Sequence, residues 1–338
     1  AGEHFLQTTF QERAEALVRE GLLTGEEMEL YIAENNRILT TLVAPAYIAL
    51  ADAVFLLSGS GTHEGGLCEL PSGGAYYLYL LRHNTGTSRT PEEIQVLLSD
   101  RFQLCYQNLQ ALVETYREQT GNTSISLQDI PAFPFQDAQE VLADLQQRIQ
   151  TDFPPLDALT KTLPTCRTKA VAESMEEFTS PAFYLTPPID DMGDNVIYVN
   201  NASTSPGLEL YTTLAHEGYP GHLYQTVYSQ LYENSRTKNP VRSALFYGGF
   251  VEGWAYYVEN ISYGYASDVL LANGASNITP LLVDIACLER NLQVNLYCLL
   301  DLSIHYYGAT RQDIYRSLAA FGISDKDTAD AIYDYIRT

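Results

Sequence analysis

Two of the six histidines lie close together, and a glutamate directly follows the first of them. His216, Glu217 and His222 supply the groups of the metalloprotease motif His-Glu-x-x-His, in which two histidines one helical turn apart bind one metal ion and the glutamate acts as general base. Here the histidines are six residues apart. Six steps of about 100° place His222 about 240° around a regular helix from His216, so a straight helix cannot bring both to one ion.

The residues between the two histidines could bend the chain and bring both side chains to one side. Pro220 lies four residues after His216, so its ring clashes with the His216 carbonyl and removes a helical hydrogen bond. Gly221 tolerates backbone angles that other residues avoid. Bends of this kind are common at functional sites. A bend here would turn both histidines to the same side, so the segment predicts a metal site. The alternative is that both histidines are ordinary polar side chains at a broken helix.

A catalytic zinc site needs a third protein ligand and an open position. Glu252 is the best candidate, because it lies in an apolar helical stretch where a carboxylate is costly to bury unless it is paired or bound to metal. Tyr256 and Glu259 follow at four and seven residues and share its helical face. The alternative is an exposed acid on a solvated stripe.

Asp301 and His305 form a third candidate group. They are four residues apart, so the carboxylate can orient the imidazole, which would then donate a hydrogen bond to an oxyanion. A local pair near a helix C-terminus explains the same spacing, and the residues alone favour this simpler interpretation.

The elements that position these residues are mainly helical. Capping signals at Thr24 and Thr90 start long helices that reach about Leu57 and Gln119. Further helices are predicted over residues 136–149, 208–235 (kinked at the motif), 241–262, 279–306, 311–320 and 325–336, with Thr310 and Ser324 as N-caps of the last two.

Two short β signals, Ala182–Leu185 and Val196–Val199, predict a hairpin over residues 182–200. Prolines from Pro154 onward mark a linker, which divides an N-terminal helical region, 1–153, from a catalytic metal-binding region, 154–338. The apolar run Leu39–Leu57 contains a proline and an aspartate within an amphipathic pattern, so a core helix is favoured over a membrane span.

Composition excludes some classes of function. The net charge is −23, which repels phosphate backbones and anionic membranes and favours cations, although solubility alone explains most of such a charge. The five cysteines contain no CxxC pair, so neither a zinc ribbon nor a disulfide framework follows. The cysteines are expected to be buried and to act as small hydrophobic residues.

The cellular location is only weakly indicated. The acidity suits secretion and the free cysteines suit the cytoplasm; a secreted or cell-envelope location is slightly favoured.

Together these segments resemble the bacterial domain-of-unknown-function family 885, which is grouped with the gluzincin-type zinc metallopeptidases. The resemblance is carried by three motifs. They are His-Glu-x-x-Pro-Gly-His at 216–222 followed by Gln225, Glu-Gly-Trp-Ala-x-Tyr at 252–257, and Asp-x-x-x-His at 301–305 preceded by Arg290. Leu70–Tyr77 and Thr90–Ile94 also fit family features that precede the catalytic part.

The resemblance implies a mainly α fold, a large helical body like that of the larger zinc peptidases, with one small β-hairpin or sheet near the active site. It implies that His216, His222 and Glu252 bind Zn²⁺ and that Glu217 is the general base. His305 and a nearby tyrosine, Tyr256 or Tyr257, would polarise the substrate. The remaining candidates for supporting or substrate-binding roles are Asp301, Arg290, Glu259 and Gln225.

The first hypothesis for function is a zinc-dependent peptidase whose peptide substrate pairs with the strand Val196–Val199. The second is a non-catalytic metal- or peptide-binding helical module. The third is a metallohydrolase that acts on a non-peptide amide or ester. No nucleophile elbow or cysteine motif supports a serine or cysteine hydrolase. The sequence leaves the oligomeric state open.

Overall fold

The computed structural model describes residues 4–61, 63–160, 163–187, 193–204, 207–236, 241 and 247–338. The chain forms two compact units. The first comprises Ala1–Glu64 with Ala172–Phe178, and the second comprises Gly65–Val171 with Thr179–Thr338. The division expected near residue 153 therefore does not coincide with the division between the compact units, and all the candidate site residues belong to the second unit.

The first unit contains three helices, α1 (Phe5–Arg19), α2 (Gly25–Ile38) and α3 (Ala44–Leu56). The capping box at Thr24 is confirmed, since its side chain accepts the Glu27 N–H and the Glu27 carboxylate accepts the Thr24 N–H. The residues that join α2 to α3 adopt a π-helical turn. The following proline, Pro45, lacks the N–H that a regular helix would use here.

Gly25–Leu56 is a continuous helix that is long and apolar enough to cross a membrane by length and composition. Within the described residues, no side chain of this helix is buried. The expectation of a core helix is therefore wrong. An apolar composition alone does not show that a helix packs in the core of the protein.

The second unit contains nine further α-helices in its described part. They are α4 (Gly73–Thr85), α5 (Pro91–Thr120), α6 (Ala138–Asp152), α7 (Leu208–Glu217), α8 (His222–Arg236), α9 (Gly248–Ala272), α10 (Thr279–His305), α11 (Arg311–Ala320) and α12 (Lys326–Arg337). The chain is thus mainly helical, as predicted.

The capping signals at Thr90 and Thr310 are confirmed, because each forms a capping box with the acid three residues later. The cap of α12 is Asp325 and not Ser324, since the Asp325 carboxylate accepts the Thr328 N–H. α9 begins later and runs ten residues further than the predicted helix 241–262.

One small sheet has the order β1-β3-β2, with β1 (Thr165–Ala170), β2 (Ala182–Leu185) and β3 (Asp194–Val199). The predicted hairpin strands are confirmed as the antiparallel pair β2–β3; residues 188–192, between them, lie outside the described residues. The parallel strand β1 was not predicted, because a polar edge strand carries little alternation. β3 is paired on both sides, so the hypothesis that Val196–Val199 pairs with substrate is wrong.

The main core holds α7 in place. It joins side chains from α6, β3, α7 and α8, among them Leu145, Ile197, Leu214 and Val227, which are all 0% exposed. Because α7 is packed on several sides, the last turn that carries His216 has a fixed position. All five cysteines are free, as expected, but only Cys105 is buried.

We expect Leu145→Ala to lower the free energy of unfolding by about 2–5 kcal/mol, since it leaves a cavity in a fully buried site. Leu97→Ala is the matched control, because Leu97 is 48% exposed on α5 and its loss should change that free energy by about 0.5 kcal/mol or less. Urea unfolding followed by circular dichroism measures both. Equal midpoints for the two variants would contradict this description of the core.

Candidate metal centre

The motif segment breaks at its glycines, and the break brings the two histidines together. α7 ends at Glu217 and α8 begins at His222. The imidazole rings of His216 and His222 have centroids 4.8 Å apart and planes at 90° to each other. The predicted single kinked helix is therefore wrong in form, because two helices meet at a turn. The expected result, two histidines that face the same point, is confirmed.

Gly221 allows the turn to be tight. A Cβ atom at this position would lie 1.7 Å from the carbonyl oxygen of His216, a distance that no side chain can occupy. The Trp254 indole donates a hydrogen bond of 2.8 Å to the Pro220 carbonyl and so ties the turn to α9. Gln225 also bridges to α9, through a hydrogen bond to the Phe250 carbonyl, and does not enter the cluster.

Glu252 completes a set of three donor atoms. Its Oε2 atom lies 3.6 Å from His216 Nε2 and 3.6 Å from His222 Nε2. Ligand atoms about 2.0–2.1 Å from a tetrahedral zinc ion lie roughly 3.3 Å from one another. These three side chains could therefore hold such an ion with only a small movement.

Glu217 is the other carboxylate close to the histidines. One donor atom each from His216, Glu217 and His222 lie within 4.8 Å of one another, so Glu217 is an alternative ligand. However, Glu217 Oε2 already accepts the backbone N–H of Tyr184, in β2, at 2.9 Å. Glu252 fits the ligand position better because one of its oxygens is equidistant from both Nε2 atoms, and Glu217 fits the position of a neighbouring base.

Glu259 orients His216 from the side opposite the donor set. Its Oε2 atom lies 3.0 Å from His216 Nδ1, and its Oε1 accepts a hydrogen bond of 3.0 Å from Arg290 Nε. A carboxylate on the second ring nitrogen fixes the orientation of a metal-binding histidine and raises its basicity. Glu252 and Glu259 are two turns apart on α9, so this one helix supplies both a candidate ligand and its support.

The charges of this cluster stabilise a positive charge at His216. Burial alone lowers the pKa of His216, but the hydrogen bond to Glu259 and the charges of Glu217 and Glu252 raise it on balance. Burial acts to raise the pKa of Glu259, yet the bonds to His216 and Arg290 lower it below its usual value. Carboxylates that stabilise a proton at this point would also stabilise a metal cation.

Glu217 and His222 have the protonation properties that metal-assisted chemistry needs. Burial raises the pKa of Glu217, and the charges of Glu252 and Glu259 act in the same direction. Burial and the charge of His216 lower the pKa of His222, which favours the neutral ring, the form whose lone pair can bind a cation. His222 Nδ1 is buried and has no hydrogen-bond partner within the described part of the chain.

His305 lies in a different cluster, where both ring nitrogens are occupied. Nδ1 accepts the Leu67 N–H at 3.2 Å, and Nε2 donates to the Ile336 carbonyl at 3.0 Å. Asp301 instead accepts the Tyr77 hydroxyl and lies 3.9 Å from His305 Nε2. The predicted oxyanion role of His305 is wrong in this structure, because neither nitrogen is left to donate to a substrate.

The two tyrosines of α9 that were predicted to be catalytic, Tyr256 and Tyr257, make other contacts. The Tyr256 hydroxyl donates to Asn291 on α10. Tyr257 is exposed and packs on Trp254, with ring centroids 6.1 Å apart. Neither hydroxyl is positioned to polarise a substrate at the donor set, and their predicted catalytic role is not supported by these contacts.

A cleft of about 1110 Å³ opens beside the cluster and is lined by His216, Glu217, Glu259 and Arg290. Residues that sequence reasoning missed also line it. Among them are Tyr263, which is buried one turn after Glu259, and the segment Ser180–Ala182 before and within β2. The packing of β2 against α7 brings Ser180–Ala182 to the site, which no local pattern marks, whereas Tyr263 follows Glu259 by one turn of α9 and could have been found by that spacing.

Comparisons with known proteins agree with the family that the sequence resembles. The profile of a family described as "Bacterial protein of unknown function (DUF885)" matches residues 3–334. No curated protein matches the chain. A crystal structure of a Colwellia psychrerythraea protein, described as a "putative lipoprotein", has a TM-score of 0.65 and 19% sequence identity. The similarity covers 98% of this chain and 56% of that one, so this chain spans little more than half its length.

We expect Gly221→Ala to lower the free energy of unfolding by about 1–3 kcal/mol or more, because the added methyl group meets the His216 carbonyl. Gly264→Ala is the control: its Cβ would meet no atom within 4 Å inside α9, and alanine should stabilise that helix by about 0.5–1 kcal/mol. Urea unfolding compares the two. A Gly221→Ala protein as stable as the unmodified one would refute the tight turn.

Proposed function

The chain belongs to the bacterial family of unknown function DUF885, and from the geometry of its cluster we propose that it is a zinc-dependent peptidase. The observation that carries this proposal is the position of one Glu252 oxygen 3.6 Å from both His216 Nε2 and His222 Nε2, with the Glu217 carboxylate beside them. Two imidazoles and one carboxylate are a common ligand set of catalytic zinc in proteases.

His216, His222 and Glu252 would hold the ion, and Glu259 would fix the ring of His216. Bound zinc supplies a Lewis acid next to Glu217 that polarises a substrate carbonyl. The donor set fits zinc better than magnesium or calcium, which prefer oxygen ligands.

Glu217 is the proposed general base. Its raised pKa brings the carboxyl closer to neutral pH, where it can take a proton from water and return it to the leaving amine. The Tyr184 N–H holds one oxygen of this carboxylate, and Glu217 lines the cleft. A base held by a backbone donor keeps its orientation when the substrate enters.

β2 supplies a place for an extended peptide, in the role first expected of β3. β2 is an edge strand, and Tyr184 directs its N–H towards Glu217 and not towards β3. Ser180, Pro181 and Ala182 line the cleft on the same side. Because Glu217 already accepts the Tyr184 N–H, pairing would use the remaining outward backbone groups of this edge and place a peptide bond next to Glu217. This arrangement favours a peptide over a compact non-peptide amide or ester.

A secreted or cell-envelope location is part of this proposal. It is supported by the similarity to a protein described as a "putative lipoprotein" and by the apolar helix Gly25–Leu56 near the N-terminus.

Elemental mass spectrometry of the purified protein should find about one zinc ion per chain, and none after His222→Ala. Glu217→Gln should keep the zinc but lower the rate of peptide hydrolysis by about 10²–10⁴-fold, because only the base is lost. Glu118→Gln, on the exposed surface of α5, makes the same change of charge and should leave both unchanged.

Zinc-bound protein that hydrolyses no member of a peptide library would instead indicate a non-catalytic metal-binding module. Protein without zinc, even after zinc is supplied, would refute the ligand set itself.

Glu259→Gln tests the support of His216 separately from the ligands. It removes the charge that orients the imidazole, so we expect zinc affinity to fall by about 10–100-fold while the chain stays folded. A competition titration with a fluorescent chelator measures the affinity, with Glu118→Gln again as the control. An unchanged affinity would show that the 3.0 Å contact between Glu259 and His216 does not serve the metal site.

A further inference from the structure

Arg290 on α10 contacts the buried carboxylate that supports His216. Glu259 is only 5% exposed, and its two oxygens contact two different partners. Oε1 accepts the Nε–H of Arg290 at 3.0 Å, and Oε2 lies 3.0 Å from Nδ1 of His216. Because His216 belongs to α7 and Glu259 to α9, two successive contacts connect three helices and end at a candidate zinc ligand.

The pair of Arg290 and Glu259 is not the only tie between α9 and α10. One residue further along both helices, the Asn291 amide donates a hydrogen bond to Asn260, and the Tyr256 hydroxyl donates to Asn291. These bonds join the same two helices and involve neither member of the ion pair. The specific consequence of the ion pair is therefore the position of the Glu259 carboxylate.

The second histidine of the donor set lacks a support of this kind. Nδ1 of His222 is buried and has no hydrogen-bond partner among the residues that the structure describes. A carboxylate on the second ring nitrogen orients a metal-binding histidine. In the described part of the chain, only His216 of the two histidines has such a carboxylate, so the orientation of the donor set depends on Glu259.

We propose that Arg290 is a positioning residue of the metal centre, which holds Glu259 in the orientation that fixes the His216 ring and so raises the affinity for zinc. This proposal rests on the ligand set of the proposed function and adds a residue that sets its affinity. A guanidinium suits this role, because its planar group keeps a fixed direction towards a carboxylate, whereas an ammonium group acts as a point charge.

The sign of the effect separates positioning from simple charge. Arg290 is a cation near the proposed zinc ion, so its charge alone repels the ion, and its removal would tighten zinc binding. Positioning predicts the opposite result. Without Arg290, the Glu259 carboxylate is no longer held towards the His216 ring, and zinc should bind more weakly.

A competition titration with a fluorescent chelator measures the zinc affinity of Arg290→Gln. We expect a fall of about 3–10-fold, smaller than that of Glu259→Gln because the carboxylate remains. Arg290→Lys keeps the charge without the planar group, so its affinity should lie between those of Arg290→Gln and the unmodified protein. Arg117→Gln is the matched control and should change nothing. The Arg117 side chain is 49% exposed, close to the 44% of Arg290, and also pairs with a glutamate.

A double-mutant cycle tests whether Arg290 acts through Glu259. In the Glu259→Gln background, Arg290→Gln should cause no further loss of zinc affinity, because the contact that it supports is already gone. A residue that only stabilised the packing of α10 would lower the affinity by the same factor in both backgrounds.

The proton on Nδ1 of His216 gives a readout that needs no zinc. Hydrogen bonds to carboxylates are short and strong, so this proton should exchange slowly with water and give a downfield proton NMR signal. His216→Ala identifies the signal by its loss. We expect the signal to broaden in Arg290→Gln and to persist in Arg117→Gln. Circular dichroism checks that each variant is folded, and Arg290→Lys serves for the same comparison if Arg290→Gln does not fold.

The outcomes keep the two proposals apart. Zinc affinity that is unchanged or raised in Arg290→Gln, or a loss that persists in the Glu259→Gln background, would overturn the positioning role and leave the peptidase standing. A loss that depends on Glu259, in a protein that hydrolyses no peptide, would support the positioning role and overturn the peptidase. Protein that binds no zinc would overturn both.

Discussion

The contact between Gly221 and the carbonyl of His216 is the constraint on which the candidate site depends. The backbone folds back so closely after α7 that a Cβ atom at Gly221 would lie 1.7 Å from that oxygen. This closeness allows histidines six residues apart to face the same point, with ring centroids 4.8 Å from each other. A more open turn would leave His222 on another side of the structure.

The turn alone would not give a usable site, because it places two imidazole rings in a partly buried position where they lose contact with water. The acids of α9 offset this cost by interacting with the ring nitrogens. Glu252 faces both Nε2 atoms, and Glu259 binds the far side of His216 while Arg290 holds Glu259. The result is a partly buried network, with Glu259 buried and the Glu252 side chain 62% exposed, whose centre favours a cation. The Trp254 indole fastens the turn to the same helix, so turn and acids keep one geometry.

The small sheet contributes to the candidate site through its edge strand β2. β3 is enclosed by its two neighbours, and β2 is left as an edge whose Tyr184 N–H holds Glu217. The same edge leads into the cleft that runs along α7 and α10. A single strand thus positions the proposed base and borders the space where a substrate would lie. The acidic character of that space continues the charge of the whole chain, since Glu209, Glu217, Glu259 and Glu289 all line it.

The sequence by itself determined the mainly helical fold, most helix starts, the hairpin strands and the identity of the central cluster. These features are local: a capping box, a proline four residues after a histidine, or an acid within an apolar helix acts through neighbours in the chain. The structure brings His216, His222, Glu252 and Glu259 together, although the Glu252 side chain is 62% exposed and not buried as its apolar helix suggested.

Only the tertiary structure decided which distant residues reach that group. It turned His305 towards the Leu67 and Ile336 backbones and Tyr256 towards Asn291. It brought the Tyr184 N–H to Glu217 and the acids of α7 and α10 to the cleft. It also left the apolar helix Gly25–Leu56 without a buried residue in the described chain. The reason is physical: spacing along a helix fixes which side chains share a face, but the packing of helices and strands decides what that face meets.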